Sequence, residues 1–229
     1  MEDCAEKAVE YALQLGADYA EARFERSFGL YAMLRNGLAE PTVSAEEQGL
    51  GIRVLCKGGL AFASTNVLDV SRVRRVVESC VKTAKALSLK SRNELAKQQP
   101  EKASWEVYVK ESVQDIDAEV KLEELAEIDS SLLDTGVKLP SRLLTLGGSI
   151  KERFYVNSEG TEVKSRISRV RFSMFITASS PEKGVVQRHF ELGETGGWER
   201  VKLWNLVDKA AEEAKTLGKI LEESKRLKP

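Results

Sequence analysis

Over residues 19–25 the chain alternates without a break, Ala20, Ala22 and Phe24 against Glu21, Arg23 and Glu25. Successive strand side chains point to opposite faces, so this pattern makes a strand with one buried and one solvated side. Leu30, Ala32 and Leu34 keep the same period up to Asn36-Gly37. A two-residue hairpin turn of type I′ needs positive φ at both positions, which Asn-Gly adopts readily. The chain is thereby committed to antiparallel sheet, with residues 38–44 as the returning strand. Pro41 has no N–H to give to a ladder and marks an edge or a bulge in that strand. Leu50, Ile52, Val54 and Cys56 share one side of a third strand, and residues 60–64 form a fourth after Lys57-Gly58-Gly59.

Helices flank these strands. Ala5, Ala8, Val9, Ala12 and Leu15 recur at i, i+3, i+4, i+7 spacing, and Gly16 stands where a left-handed residue ends a helix. Asp69 is an N-cap for a second stripe, Val70, Val73, Val77, Cys80, Ala84 and Leu87. Residues 1–90 therefore read as an N-terminal α+β domain of helix, four strands and helix. Residues 91–104, polar and containing Pro100, read as a linker. Residues 105–229 read as a second α+β region. It begins with a short strand at 105–110 and a helix at 117–133, with Leu125, Ile128 and Leu132 inward. Strands at 142–146, 150–157, 162–178 and 185–192 follow, with Asn157-Ser158-Glu159-Gly160 as a turn, and a long helix at 201–227 ends it. The expected fold class is α+β: an antiparallel sheet flanked by helices, then a second helix-plus-antiparallel-strand region.

Hydrophobic residues make up 42% of 229, enough for a real core. Lys and Arg total 35 against 36 Asp and Glu, for a net charge of −1. Binding to nucleic acid by counterion release draws on an excess of positive charge, so no nucleic-acid partner is expected. Arg72, Arg74, Arg75, Lys82 and Lys85 read as the solvated face of their helix. Met1 is followed by Glu2 and Asp3, and no apolar run approaches the ~18 residues of a membrane helix. No membrane association is expected, and the compartment read from this is the cytoplasm.

The side chains offer little chemistry. Cys4, Cys56 and Cys80 lie far apart with no C-x-x-C, and read as buried reduced thiols. Catalytic zinc takes about three protein ligands, whereas the one histidine, His189, sits in a strand beside Arg188 and is expected at the surface or in an interface. No serine lies in a G-x-S-x-G elbow. Gly49-x-Gly51 lacks the third glycine and the helix that would aim N–H groups at phosphate. The sequence therefore singles out no catalytic residue, no metal ligand and no binding residue, and no cofactor is expected in this chain.

Several stretches taken in order are more telling. They run Leu15-Gly16-Ala17-Asp18-Tyr19-Ala20-Glu21, Arg35-Asn36-Gly37, Gly49-Leu50-Gly51-Ile52-Arg53-Val54 and Gly59-Leu60-Ala61-Phe62-Ala63-Ser64-Thr65-Asn66. Asn157-Ser158-Glu159-Gly160-Thr161 and the late Lys209-Ala210-Ala211-Glu212-Glu213-Ala214 complete the set. In order and spacing they resemble the N-terminal portion of the TldD/PmbA family, also labelled modulators of DNA gyrase. Phe62 to Asn66 leans towards the TldD branch.

The resemblance implies a share in a zinc-dependent metallopeptidase, a hydrolase of proteolysis. In that family an H-E-x-x-x-H helix holds the zinc, and its Glu can act as general base on bound water. No such motif occurs here, and Lys228-Pro229 fall about where that C-terminal domain would start. Zinc is thus expected only in the domain absent from this chain, which by itself is expected to be inert. The resemblance also implies a homodimer or a heterodimer with a related TldD/PmbA-type subunit, around a chamber that admits short or unfolded peptides. The function so implied is a scaffold and substrate-admitting part. The alternative is a non-enzymatic module that binds peptides or a partner subunit, for example by strand addition at residues 38–44.

Overall fold

Both hairpin turns adopt the left-handed backbone their residues favour: φ is 49° and 80° at Asn36 and Gly37, and 47° and 83° at Lys57 and Gly58. The structure, a computed structural model, describes residues 2–90 and 92–224. In chain order the elements are α1 (Glu2–Gln14), β1 (Tyr19–Arg35), β2 (Leu38–Cys56), β3 (Gly59–Thr65), α2 (Val70–Leu87) and β4 (Lys102–Glu106). They continue with α3 (Ala118–Asp134), β5 (Ser141–Asn157), β6 (Glu162–Ser180), β7 (Gly184–Thr195), a 3-10 helix (Trp198–Leu203) and α4 (Leu206–Glu223). The fold is α+β. Its seven-stranded sheet runs β3-β2-β1-β5-β6-β4, with β7 antiparallel to β6 and β4 parallel to it.

Strands are longer than the sequence pattern predicts. The second and third strands are one element, β2, so three strands precede α2 rather than four. Residues 41–48, which join them, are all exposed. A strand solvated on both faces needs no apolar alternation, and the pattern is silent there. Strands 142–146 and 150–157 likewise fuse into β5 through Gly147-Gly148. A Cβ on Gly147 would sit 2.2 Å from the Leu30 carbonyl oxygen, so glycine admits the neighbouring backbone rather than breaking the strand.

Two helical and strand limits also differ. The strand expected at 105–110 lies at Lys102–Glu106 instead. Beyond it the backbone N–H groups of Lys110 and Glu111 are taken by the Glu199 carboxylate, at 3.3 and 3.1 Å. The helix expected over 201–227 is broken at Asn205, whose φ is 49° and whose amide donates to Asp208 at 2.6 Å. Its stretch 225–227, like Ser91 of the expected linker, lies outside the described residues.

The chain forms two compact units. One comprises residues up to Ser27, Glu46–Glu106 and Lys151–Arg166; the other comprises Phe28–Ala45, Val107–Ile150 and the residues from Ile167 on. In the first, Ala5, Ala8, Val9 and Ala12 of α1 and Val73, Val77, Cys80 and Ala84 of α2 bury Ala20, Ala22, Phe24, Leu50, Ile52 and Val54. Asp69 caps α2 by accepting from the Arg72 N–H at 2.8 Å. Val70 and Leu87, at the ends of the stripe, are 53% and 39% exposed.

In the second unit Leu125, Ile128 and Leu132 of α3 and Ala210, Ala214 and Leu217 of α4 join Phe172, Met174 and Ile176 of β6 in one core. Leu206 takes the inward place at the start of α4, leaving Val207 38% exposed. A buried ion pair ties the Asn36-Gly37 turn to this core. Arg142 donates from Nε to Asp129 Oδ1 at 2.7 Å and from Nη2 to Oδ2 at 3.0 Å, and its Nη1 reaches the Leu139 carbonyl. Its backbone N–H donates to Asn36 Oδ1 at 2.7 Å, and its carbonyl accepts from the Asn36 N–H at 2.9 Å. The two charged side chains are 10% and 7% exposed. Removing one partner strands the other charge in the core, so Asp129→Ala should lower unfolding free energy by about 3–5 kcal/mol. Denaturant titration measures this; a loss under about 1 kcal/mol, the range of surface pairs, would contradict the buried pair.

Candidate functional site

Alternation in the first unit gives its sheet one apolar and one polar side, and among the described residues neither of this unit's own helices packs on the polar side. Both of its helices pack on the apolar side, so the other side must be satisfied by its own side chains. Tyr19, Glu21, Arg23 and Glu25 stand there on β1, Gly49, Gly51 and Arg53 on β2, Phe62 and Ser64 on β3, and Arg153, Tyr155 and Asn157 on β5. Each polar group on this side therefore has to find a neighbour on the next strand.

At one end Glu21 gathers three donors on a single oxygen. The Tyr19 hydroxyl donates to Glu21 Oε2 at 2.7 Å, the Tyr155 hydroxyl at 3.0 Å and Arg53 Nη2 at 2.9 Å. The two phenol oxygens are 3.2 Å apart, and Asn157 Nδ2 approaches Tyr19 at 3.5 Å. Burial pushes the Glu21 carboxyl up, but the hydrogen bonds from Tyr19, Arg53 and Tyr155 outweigh it and hold the group below the ordinary glutamate range. Burial raises both tyrosines, and their bonds to Glu21 act the same way, so both phenols stay neutral. The cluster opens on a cleft of about 710 Å³ walled by residues 95–99 and by Glu101, Glu159 and Thr161.

Further along the same strands lies a groove of about 550 Å³. Its floor is bare backbone at Gly49 and Gly51, over which the Phe62 ring lies; a Cβ on Gly51 would meet that ring at 3.2 Å. Phe62 is 66% exposed. Arg23, Ser64, Asn66 and Arg72 line the sides. Glu25, also in the groove, is held ionised below its usual range: burial opposes, but Lys151 and Arg153 donate to it at 2.8 and 2.7 Å.

The remaining reactive side chains stand apart. Cys56 and Cys80 are buried, and burial pushes both thiols up, Cys80 to about 11, so neither supplies a thiolate. Cys4 is only half-buried and its thiol points to the Leu68 carbonyl at 3.4 Å. His189 is exposed on β7, with Nε2 3.1 Å from the Ser173 hydroxyl and 3.8 Å from Glu191, whose carboxylate is already engaged by Arg171. Serine and carboxylate meet the same ring nitrogen, so no relay runs through the imidazole. Arg72, Arg74, Arg75, Lys82 and Lys85 on α2 are exposed. Among the described residues no helix is long and apolar enough to cross a membrane.

Comparison with known proteins gives this face a context. The PmbA/TldA metallopeptidase domain 1 matches residues 20–87, and the central domain of the same metallopeptidases matches residues 111–217. The chain belongs to the PmbA/TldD family. A metalloprotease of Methanocaldococcus jannaschii is 24% identical over 196 residues, which are 85% of this chain and 42% of that protein. The fold is shared with a protein of Bacteroides thetaiotaomicron labelled a candidate modulator of DNA gyrase, at TM-score 0.78 and 16% identity over 98% of this chain and 51% of the other. It is shared too with TldE of Thermococcus kodakarensis, at TM-score 0.72 and 16% identity, covering 93% and 47%. The chain spans about half the length of these relatives. A family metal would need three converging ligands; among the described residues no three His, Cys, Asp or Glu come together, so this part of the fold does not fit the ion.

Three of the family-like stretches meet at the Glu21 cleft: Tyr19 and Glu21 come from the first, Arg53 from the Gly49–Val54 stretch, and Asn157, Glu159 and Thr161 from the turn before β6. In the sequence these residues mark kinship alone and point to no site. Tyr155 carried no signal beyond its place in an alternating strand, and residues 95–99 looked like linker alone. Because the folded pKa of Glu21 is depressed, its contribution to stability is complete above the ordinary glutamate value of about 4.3 and drains away as pH falls through the lower folded value. Denaturation midpoints measured from pH 7 to pH 2 should therefore fall less steeply on the acid side for Glu21→Gln than for the parent. Parallel acid limbs would show that the carboxylate is not held as described.

Proposed function

We propose that this chain is the scaffold and peptide-admitting portion of a PmbA/TldD metallopeptidase, acting on short or unfolded peptides. The observation that carries the reading is the meeting of three family stretches, far apart in sequence, around Glu21 on the polar side of the first unit's sheet. The side-chain-free floor at Gly49 and Gly51 beside the exposed Phe62 ring offers space and an apolar seat, which an extended peptide can use. Clefts of 550 and 710 Å³ are in the range that encloses small ligands and peptide side chains, not folded domains. Zinc and the hydrolytic groups belong, on this reading, to an H-E-x-x-x-H domain of the family beyond these residues. A related TldD/PmbA-type subunit, identical or not, is the partner. A role on DNA finds no support in a net charge of −1 with the cations of α2 spread over a solvated helix.

One observation favours the second reading, a non-catalytic module that binds a strand. Pairing of β2 with β3 begins only at Leu50, so residues 38–49 present a free edge on that side among the described residues. Such an edge is open to strand addition, with Pro41 removing one donor.

The test combines this chain with a family protein that contains H-E-x-x-x-H and an unstructured fluorogenic peptide. The chain alone should retain no zinc and release no product. Cleavage should appear with the metal-bearing protein, stop on chelation, and show a several-fold higher KM at little-changed kcat when the chain carries Phe62→Ala. Chelator-sensitive turnover by the chain alone, or indifference to Phe62→Ala, would contradict the proposal.

A further inference from the structure

We infer that the Tyr19–Glu21–Tyr155 cluster is a receptor for a primary ammonium group carried by a peptide. This deepens the peptide-admitting reading and rests on it. Glu21 is a carboxylate 15% exposed whose Oε2 is saturated, by Tyr19, Tyr155 and Arg53. Its other oxygen, Oε1, has no hydrogen-bond partner among the described residues, yet is not among their buried unpartnered atoms, so it opens on the cleft. Both phenols spend their protons on Oε2; Tyr155 keeps its oxygen lone pairs, and Tyr19, which accepts from Asn157 Nδ2 at 3.5 Å, keeps one. Three acceptors thus stand together: Oε1 and the two phenol oxygens, themselves 3.2 Å apart. An ammonium group has three donors and no acceptor, which is the complement of that set.

Charge points the same way. The residues lining the cleft include the carboxylates Glu21, Glu101 and Glu159 against the cations Arg53 and Lys97, leaving an excess of negative charge. Arg53, 43% exposed, gives Nη2 to Oε2 while its Nε is buried without an acceptor, so part of its charge is spent on fixing the carboxylate. A phosphate or carboxylate set against Oε1 and the phenol oxygens would meet acceptors in place of the donors it needs. The volume, about 710 Å³, leaves room for several residues of chain behind the ammonium, and Leu95 and Ala96 supply apolar wall. A peptide carries this group at its amino end or on a lysine, and the two share one chemistry at the site.

Calorimetric titration of the whole chain with three short peptide amides separates them: one with a free amino end, its N-acetyl form, and an N-acetyl form with one lysine. A charge-assisted bond in a partly dry site predicts about tenfold or tighter binding of an ammonium-bearing peptide over the N-acetyl, lysine-free one. Tighter binding by the first peptide assigns the amino end, and by the third the lysine. Glu21→Gln should erase the preference, and Tyr155→Phe, which keeps the ring and removes one acceptor, should reduce it several-fold with the fold intact. Equal affinity for all three peptides, or a preference that survives Glu21→Gln, overturns the ammonium site and leaves peptide binding standing. Failure of every peptide to bind overturns both.

Discussion

A sheet covered by helices on one side has to dispose of the other side without a hydrophobic core. In the first unit α1 and α2 take Ala20, Ala22, Phe24, Leu50, Ile52 and Val54, and period-two geometry then forces Glu21, Arg23, Glu25 and Arg53 onto the opposite side. A half-buried carboxylate surrounded by strands is costly unless its charge is shared out. Glu21 is sustained by two phenols and a guanidinium, and Glu25 by Lys151 and Arg153. The polar network follows from the packing of the other side.

The same logic explains the long strands. β2 is 19 residues and β6 is 19, far beyond what an apolar stripe would call for. β6 alone serves two neighbours along one flank, β4 against residues 162–166 and β7 against residues 169–180. Within the second unit the Asn36-Gly37 turn is held through Arg142 and Asp129, so a local turn signal and a buried charge pair reinforce each other. Agreement between local and long-range preferences of this kind favours a single register.

Much of the fold was legible because burial leaves a periodic trace. The inward faces of α1, α2 and α3, the Asp69 cap and both glycine turns follow from residue type and spacing. What escaped lacked such a trace. Residues 41–48 are strand with no buried side, Gly147-Gly148 looks like a break and is a close contact, and Asn205 interrupts an apolar helical pattern as the left-handed residue that precedes α4. The Glu21 cleft was half legible. Tyr19, Glu21, Arg53 and Asn157 were visible as members of family-like stretches, but strands β1, β2 and β5 had to be aligned before they could be seen as one group. Register between residues 134 and 138 positions apart is a tertiary fact, and no single-strand pattern contains it.

The central claim is that peptide meets the polar side of the first unit's sheet. Amide hydrogen exchange of the chain, followed with and without a saturating unfolded peptide, tests it directly. Slowed exchange should appear in residues 19–25, 49–53, 95–99 and 155–161, with α1 and α2 unchanged. Protection confined to the α1–α2 side, or to no part of the chain, would contradict it.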